Sequence, residues 1–150
     1  MSKVSASLNR EENQKINNIE SENKKISMKS LRDLIFLGRI ERSVEINGFL
    51  FKLTTLSVQE QKDVVFKLIK IPEENRIFNA KIVSLAFAVK SINLIPLDQI
   101  DVDGNFEDLN DKKINIMQEL QVSVINKLYK IYEEMITESE YEVNIEEIKK

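Results

Sequence analysis

The 150-residue chain contains no cysteine and no histidine, and only three glycines and two prolines. Without thiolates or imidazoles it has no disulfide, no zinc site of the usual ligands and no Ser-His or Cys-His nucleophile pair. Scarce glycine and proline disfavour a turn-rich all-β fold and favour helices. Gly38, Gly48 and Gly104 stand alone, so no glycine-rich loop cradles a phosphate. No stretch approaches the roughly 18 apolar residues of a membrane span. Residues 1–29 hold no run resembling a signal peptide, and the expectation is a soluble protein made inside the cell.

Hydrophobic residues make up 42% of the chain, enough for the core of one ordinary domain. The net charge of −3 is unevenly spread: residues 98–150 carry 14 acidic and 6 basic side chains, against net charges of +2 over 1–30 and +3 over 31–97. An acidic final third argues against nucleic acid there and suits a basic protein surface. Elsewhere lysines and arginines alternate with acids and form neither a stripe nor an aromatic platform for bases.

Residues 41–70 read as the organising unit. Asn47-Gly48 accepts the two positive φ angles of a type I′ turn and joins two strands. Pairing outward sets Ile46 against Phe49 and Val44 against Phe51, which puts four apolar side chains on one face. The other face carries Ser43, Glu45 and Lys52, with Leu50 as the apolar exception and hence a candidate contact. Ser57-Val58-Gln59-Glu60 fits a capping box that opens a helix running to about Ile71, where Pro72 disfavours continuation. Val64, Val65, Leu68 and Ile69 form its apolar face.

Upstream, residues 31–37 form a short helix stopped at Gly38. Downstream, a helix from Pro72 is apolar almost all round between Ile77 and Val89 and reads as the central core element. Residues 91–97 are extended, and 97–110 form an acidic loop turning at Asp103-Gly104. From Asp111 to about Thr137 one long helix carries Met117, Leu120, Val124, Leu128, Ile131 and Met135, with Tyr132 among the residues that widen its stripe. Phe49, Phe51, Phe66, Phe78 and Phe87 occupy core-like positions.

The expected fold is α+β and mostly α-helical: one β-hairpin packed on a small helical layer, with a long C-terminal helix and an extended N-terminal arm. The chain divides into that arm over residues 1–29, an α+β domain over 30–137 and an acidic tail over 138–150. The arm has too little apolar surface to order alone, and Ile16, Ile19 and Ile26 are spaced as anchors for a partner.

Two kinds of chemistry are weighed and set aside. Gly104 placed as the glycine of a calcium loop puts Gln99 at the first ligand position and Asn110 at the twelfth, where acids are required. Neighbouring carboxylates such as Glu73-Glu74 and Glu133-Glu134 point about 100° apart on a helix and do not converge on one bond. No metal, cofactor or catalytic residue is expected. By elimination the function class is protein–protein interaction, with Ile16, Ile19, Ile26, Leu50, Leu128 and Tyr132 as candidate contacts and an open hairpin edge as a docking site.

The succession Leu31-Arg32-Asp33-Leu34-Ile35-Phe36-Leu37-Gly38, then Val44-Glu45-Ile46-Asn47-Gly48-Phe49-Leu50-Phe51-Lys52-Leu53-Thr54-Thr55-Leu56-Ser57-Val58-Gln59-Glu60-Gln61, then a helical pair, resembles small tail-module proteins of tailed bacteriophages. It is similar to baseplate hub and tail assembly proteins of contractile-tailed phages and to the related tail assembly chaperones, over less than half of the chain. The resemblance implies a non-enzymatic virion protein of the tail or baseplate, made in the host cytoplasm. Its partners would be other tail proteins, with self-association among the options and neither nucleic acid nor membrane involved. The alternative it implies is a chaperone that binds a tape-measure or hub protein transiently and leaves before the virion is mature.

Overall fold

A computed structural model describes residues 31–148. The chain separates into two units, Met1–Leu37 and Gly38–Lys150. In the first, the described residues 31–36 are helical (α1), and Leu31, Leu34, Ile35 and Leu37 are exposed. The candidate contacts Ile16, Ile19 and Ile26 lie outside the described residues.

The second unit opens at Gly38, whose φ of +82° is left-handed. A Cβ there would stand 3.0 Å from a methyl of Val143 and 3.1 Å from the Ser139 hydroxyl, so any other residue would strain the backbone and push these two side chains aside. Strands β1 (Glu41–Ile46) and β2 (Phe49–Thr54) follow, joined by Asn47 and Gly48 at φ 48° and 86°. The register is the one the turn dictates, with Ile46 opposite Phe49 and Val44 opposite Phe51. Helix α2 (Val58–Ile69) and helix α3 (Glu73–Ala88) come next.

At Ala88 the chain passes from helix to strand with no intervening loop. Residues Val89–Ile92 (β3) pair with β2, and Ile95–Pro96 (β4) pair with β3, completing an antiparallel sheet in the order β1-β2-β3-β4. The expected lone hairpin is therefore half of a four-stranded sheet. The second turn repeats the pair of positive φ angles of the first, with Asn93 and Leu94 at φ 51° and 67°. Leucine seldom takes that conformation, so no local signal marks the turn. Asn93 is fixed from outside: its amide donates to the Leu50 carbonyl at 2.7 Å, and its side-chain oxygen accepts from the Leu50 amide at 2.9 Å.

A 3-10 turn (Leu97–Gln99) leads into the acidic loop, then α4 (Leu109–Glu119) and α5 (Val122–Glu142). The single long helix expected over 111–137 is thus two helices, broken at Leu120 and Gln121, whose ψ angles of 155° and 149° are extended. The break lets Ile116 and Met117 from one segment and Ile125, Leu128, Tyr132 and Met135 from the next enter one core. A straight rod would carry some of these away from it. Helix α5 continues to Glu142, beyond Thr137, and its Ser139 hydroxyl donates to the Gly38 carbonyl.

The core gathers on α3. From Ile82 to Val89 every residue except Ser84 is buried, facing Phe51 and Leu53 of β2, the buried side chains of α4 and α5, and Leu97. Val83 and Phe87 face the other way and close on Val64 of α2. Of the five phenylalanines expected inside, Phe51 and Phe87 are buried, whereas Phe49, Phe66 and Phe78 are exposed. Their positions were apolar in sequence but lie on outward faces.

Two substitutions test this packing. Phe87→Ala, at a ring 5% exposed, is expected to cost about 3–5 kcal/mol in denaturant unfolding. Asn93→Ala, which removes the bond to the Leu50 amide, should cost about 1 kcal/mol with little change in the denaturant slope.

Candidate protein-protein interface

Helix α2 begins where Ser57, in extended geometry, accepts from the Glu60 amide through its hydroxyl at 3.2 Å, while the Glu60 carboxylate accepts from the Ser57 amide at 3.1 Å. This is the capping box expected from the sequence. The second oxygen of Glu60 accepts from Lys90 Nζ at 2.5 Å. Lys90 is the extra residue of a β-bulge, since Lys52 pairs with Ser91 and Leu53 with Val89. The bulge leaves Lys90 out of the register and its ammonium reaches the helix.

Further along, Lys67 donates to Asp108 at 2.9 Å and to Asp111 at 2.8 Å. Asp108 is also the N-cap of α4, accepting from the Asn110 amide at 2.9 Å. At the far end the Arg76 guanidinium donates to the carbonyls of Ile71 at 2.9 Å and Ile69 at 3.3 Å, satisfying groups that the end of α2 leaves open. With Val64 buried beneath it, α2 is held at its start, middle and end.

These ties leave the opposite face bare. Val58, Val65, Phe66 and Ile69 are 77%, 47%, 65% and 63% exposed. They recur along one side of the helix, whereas Val64 and Leu68 face inward. With Gln61 and Lys62 they line a shallow, almost wholly apolar groove. Lys70 stands over the Phe66 ring at 5.5 Å. Of the side chains lining the groove, Lys62 is charged. A second apolar surface lies where Ile77 and Phe78 of α3 meet Leu120 and Val122 at the α4–α5 break.

The residues expected to meet a partner are placed differently. Leu128 is 0% and Tyr132 5% exposed, so both belong to the chain's own core. Burial, with the nearby Tyr129 and Glu60 adding to it, pushes the Tyr132 phenol up to about 12. Leu50 is half-buried on β2, an inner strand flanked by β1 and β3. Of the hairpin's two edges, the one at β2 is occupied by β3, and the one at β1 is an outer edge of the sheet. The outer strand β1 carries charge instead, with Arg42 reaching Glu134 at 3.3 Å and Glu138 at 2.6 Å on α5, which discourages a further strand from pairing there. The outward stripe of α2 was missed, although α2 has apolar residues on two sides. Only one side can face a core, and that excess was the available signal.

Among the described residues no group of three or more acidic or other ligating side chains is placed to hold a metal ion, and no helix is long and apolar enough to cross a membrane. Comparison with protein-family models, characterised proteins and solved structures finds no match.

The ties on α2 carry a pH dependence. Burial opposes ionisation of Glu60, but hydrogen bonds from Lys90 and the Ser57 amide outweigh it and hold its pKa below the ordinary 4.5. The Asn110 amide, and then Lys67, hold Asp108 below 3.8. A carboxylate with a depressed folded-state pKa stabilises the fold above its unfolded value, and that stabilisation is lost as pH falls through the folded value. Unfolding free energy measured in urea is therefore expected to decline below about pH 4.5. Glu60→Gln and Asp108→Asn should each flatten part of that decline.

Proposed function

We propose that this chain is a non-enzymatic structural subunit of a phage tail or baseplate that binds neighbouring tail proteins through the outer face of α2. The observation that carries the binding reading is the row Val58, Val65, Phe66 and Ile69, exposed on a helix whose inner face and both ends are already engaged. An apolar row kept in water by a rigid scaffold is a preformed docking surface, because little ordering entropy remains to oppose binding. The resemblance of residues 31–97 to tail-module proteins supplies the setting. Arm, hairpin and long helix were the first candidates for the contact; burial of Leu128 and Tyr132 moves the emphasis to α2.

Phe66→Glu tests the surface. At an exposed ring the substitution should change folding stability by no more than about 0.5 kcal/mol while reducing incorporation into purified particles by at least tenfold, read by mass spectrometry. Normal incorporation of the variant would place the contact elsewhere. A wild-type chain that co-purifies with a tail polypeptide from infected cells, yet is missing from mature particles, would assign it to the transient chaperone role instead.

A further inference from the structure

The turn that joins β1 to β2 also carries a reactive pair. Asn47 and Gly48 are exposed at the tip of the hairpin, and a Cβ built on Gly48 would meet nothing within 4 Å. The amide nitrogen of a residue can attack the side-chain carbonyl carbon of an asparagine before it, and glycine leaves that approach open because it has no side chain. The strand ladder ends at the pair Ile46 and Phe49. The peptide between Asn47 and Gly48 therefore lies beyond the ladder and can turn without breaking a strand hydrogen bond.

Ring closure demands one backbone torsion. The Gly48 nitrogen must eclipse Asn47 Cβ about the Cα–C bond, which sets ψ of Asn47 at about −120°, the value at the first position of a type II′ turn. The observed φ angles of 48° and 86° are those of a type I′ turn, in which that ψ is about +30°. The nitrogen then lies nearly opposite Cβ, out of reach of Cγ. Types I′ and II′ share φ of about +60° at the first position and differ by a flip of the central peptide, which takes the second residue to φ about −80°. Both join antiparallel strands through two residues, and glycine accepts either sign of φ. The reactive geometry is one peptide flip from the resting turn, with the strands still paired.

We propose that Asn47 is a site of spontaneous backbone modification, gated by this flip. The Gly48 nitrogen bonds to Asn47 Cγ, the Cγ–Nδ2 bond breaks, and Nδ2 leaves as ammonia with the proton given up by the Gly48 amide. The product is a cyclic succinimide, which water opens. Cleavage between the nitrogen and Cγ gives aspartate at position 47 on the original backbone. Cleavage between the nitrogen and the main-chain carbonyl carbon gives isoaspartate, in which the chain runs through Cβ and Cγ. That second product lengthens a two-residue loop by one carbon, so neither primed turn can form and the Ile46–Phe49 pair comes apart. Either product adds a carboxylate to a depression that Asn47 lines with Glu45, Lys127, Lys130 and Glu134. Asn93, in the other turn, is held back: its side-chain oxygen accepts from the Leu50 amide at 2.9 Å, and the Leu94 side chain crowds the attacking nitrogen.

Incubation of the folded full chain in mildly alkaline buffer, followed by tryptic mapping with mass spectrometry, tests it. The peptide from Ser43 to Lys52 is expected to lose ammonia and then gain water, faster as pH rises because the deprotonated nitrogen attacks. It should resolve into aspartyl and isoaspartyl forms, while Asn93 keeps its amide. Phe87→Ala, which raises the unfolded population, should leave the Asn47 rate unchanged, since the flip needs no global unfolding. In the purified isoaspartyl form the Ile46 and Phe49 amides should exchange hydrogen faster by about fivefold or more, the loss of about one hydrogen bond each. The reference is Asn47→Asp, which carries the same charge on an unaltered backbone. No conversion of Asn47, or conversion of Asn93 at an equal rate, would overturn the proposal. An Asn47 rate that climbs with the unfolded fraction would overturn the gating, and equal exchange in the two forms would overturn the loss of the turn.

Discussion

The C-terminal half of α3 has no side that tolerates water, and the remaining elements are arranged to meet that constraint. Between Ile82 and Val89 only Ser84 escapes full burial. Strand β2, helices α4 and α5 and Leu97 cover one flank, and α2 covers the other through Val64. A helix of this composition has to be enclosed by at least two layers. Enclosure explains the break between α4 and α5 and the immediate return of the chain as β3, since each places more apolar surface against α3 than a straight continuation would.

The polar ties have a different role. Surface ion pairs contribute little by themselves, and the contacts of Arg42 with Glu134 and Glu138 are of that kind. Glu60 ties the start of α2 to Lys90 of β3 and Lys67 ties its middle to Asp108 and Asp111 at the start of α4, and the Lys67 side chain is only 15% exposed. Two hydrogen-bonded acids and burial act on the Lys67 ammonium in opposite senses, and the hydrogen bonds it donates to Asp111 and Asp108 prevail, raising its pKa above the ordinary value. Such knots set the angle and rotation of α2 rather than supplying most of the stability. With its rotation set, α2 has one apolar face under the protein and one outside it.

A helix with two apolar faces leaves one of them in water in an isolated monomer, and the row Val58, Val65, Phe66 and Ile69 is that face. The absence of cysteine and histidine from the chain already removed the commonest reaction chemistries. The structure adds a groove lined by valine, phenylalanine and isoleucine, in which side chains supply contact area and few polar handles. Such a lining supplies contact area with few hydrogen-bonding groups.

Several features were legible along the chain because they depend on neighbours a few residues apart. Asn47-Gly48 determined its turn and the pairing of four apolar residues, Ser57 and Glu60 determined the start of α2, Gly38 the end of α1, and the all-round hydrophobicity after Ile77 the central helix. Features that depend on distant residues were legible only in part: residues 91–97 read as extended, but not as strands completing a sheet with β2. β3 is a strand because β2 offers it an unpaired edge, and its turn at Asn93-Leu94 is held by Leu50, 43 positions away. Leu120-Gln121 has no breaker and bends because α3 requires two separate covers. Leu128 and Tyr132 lay in a stripe too broad to divide by sequence, and tertiary packing turned them inward; Phe66 and Ile69 were turned outward by the ties on Glu60, Lys67 and Arg76. Sequence alone determined which segments are amphipathic and where local chemistry starts or stops them. Which of two apolar faces meets the core was decided by tertiary structure, because a helix rotates about its axis at almost no local cost until contacts from elsewhere hold it.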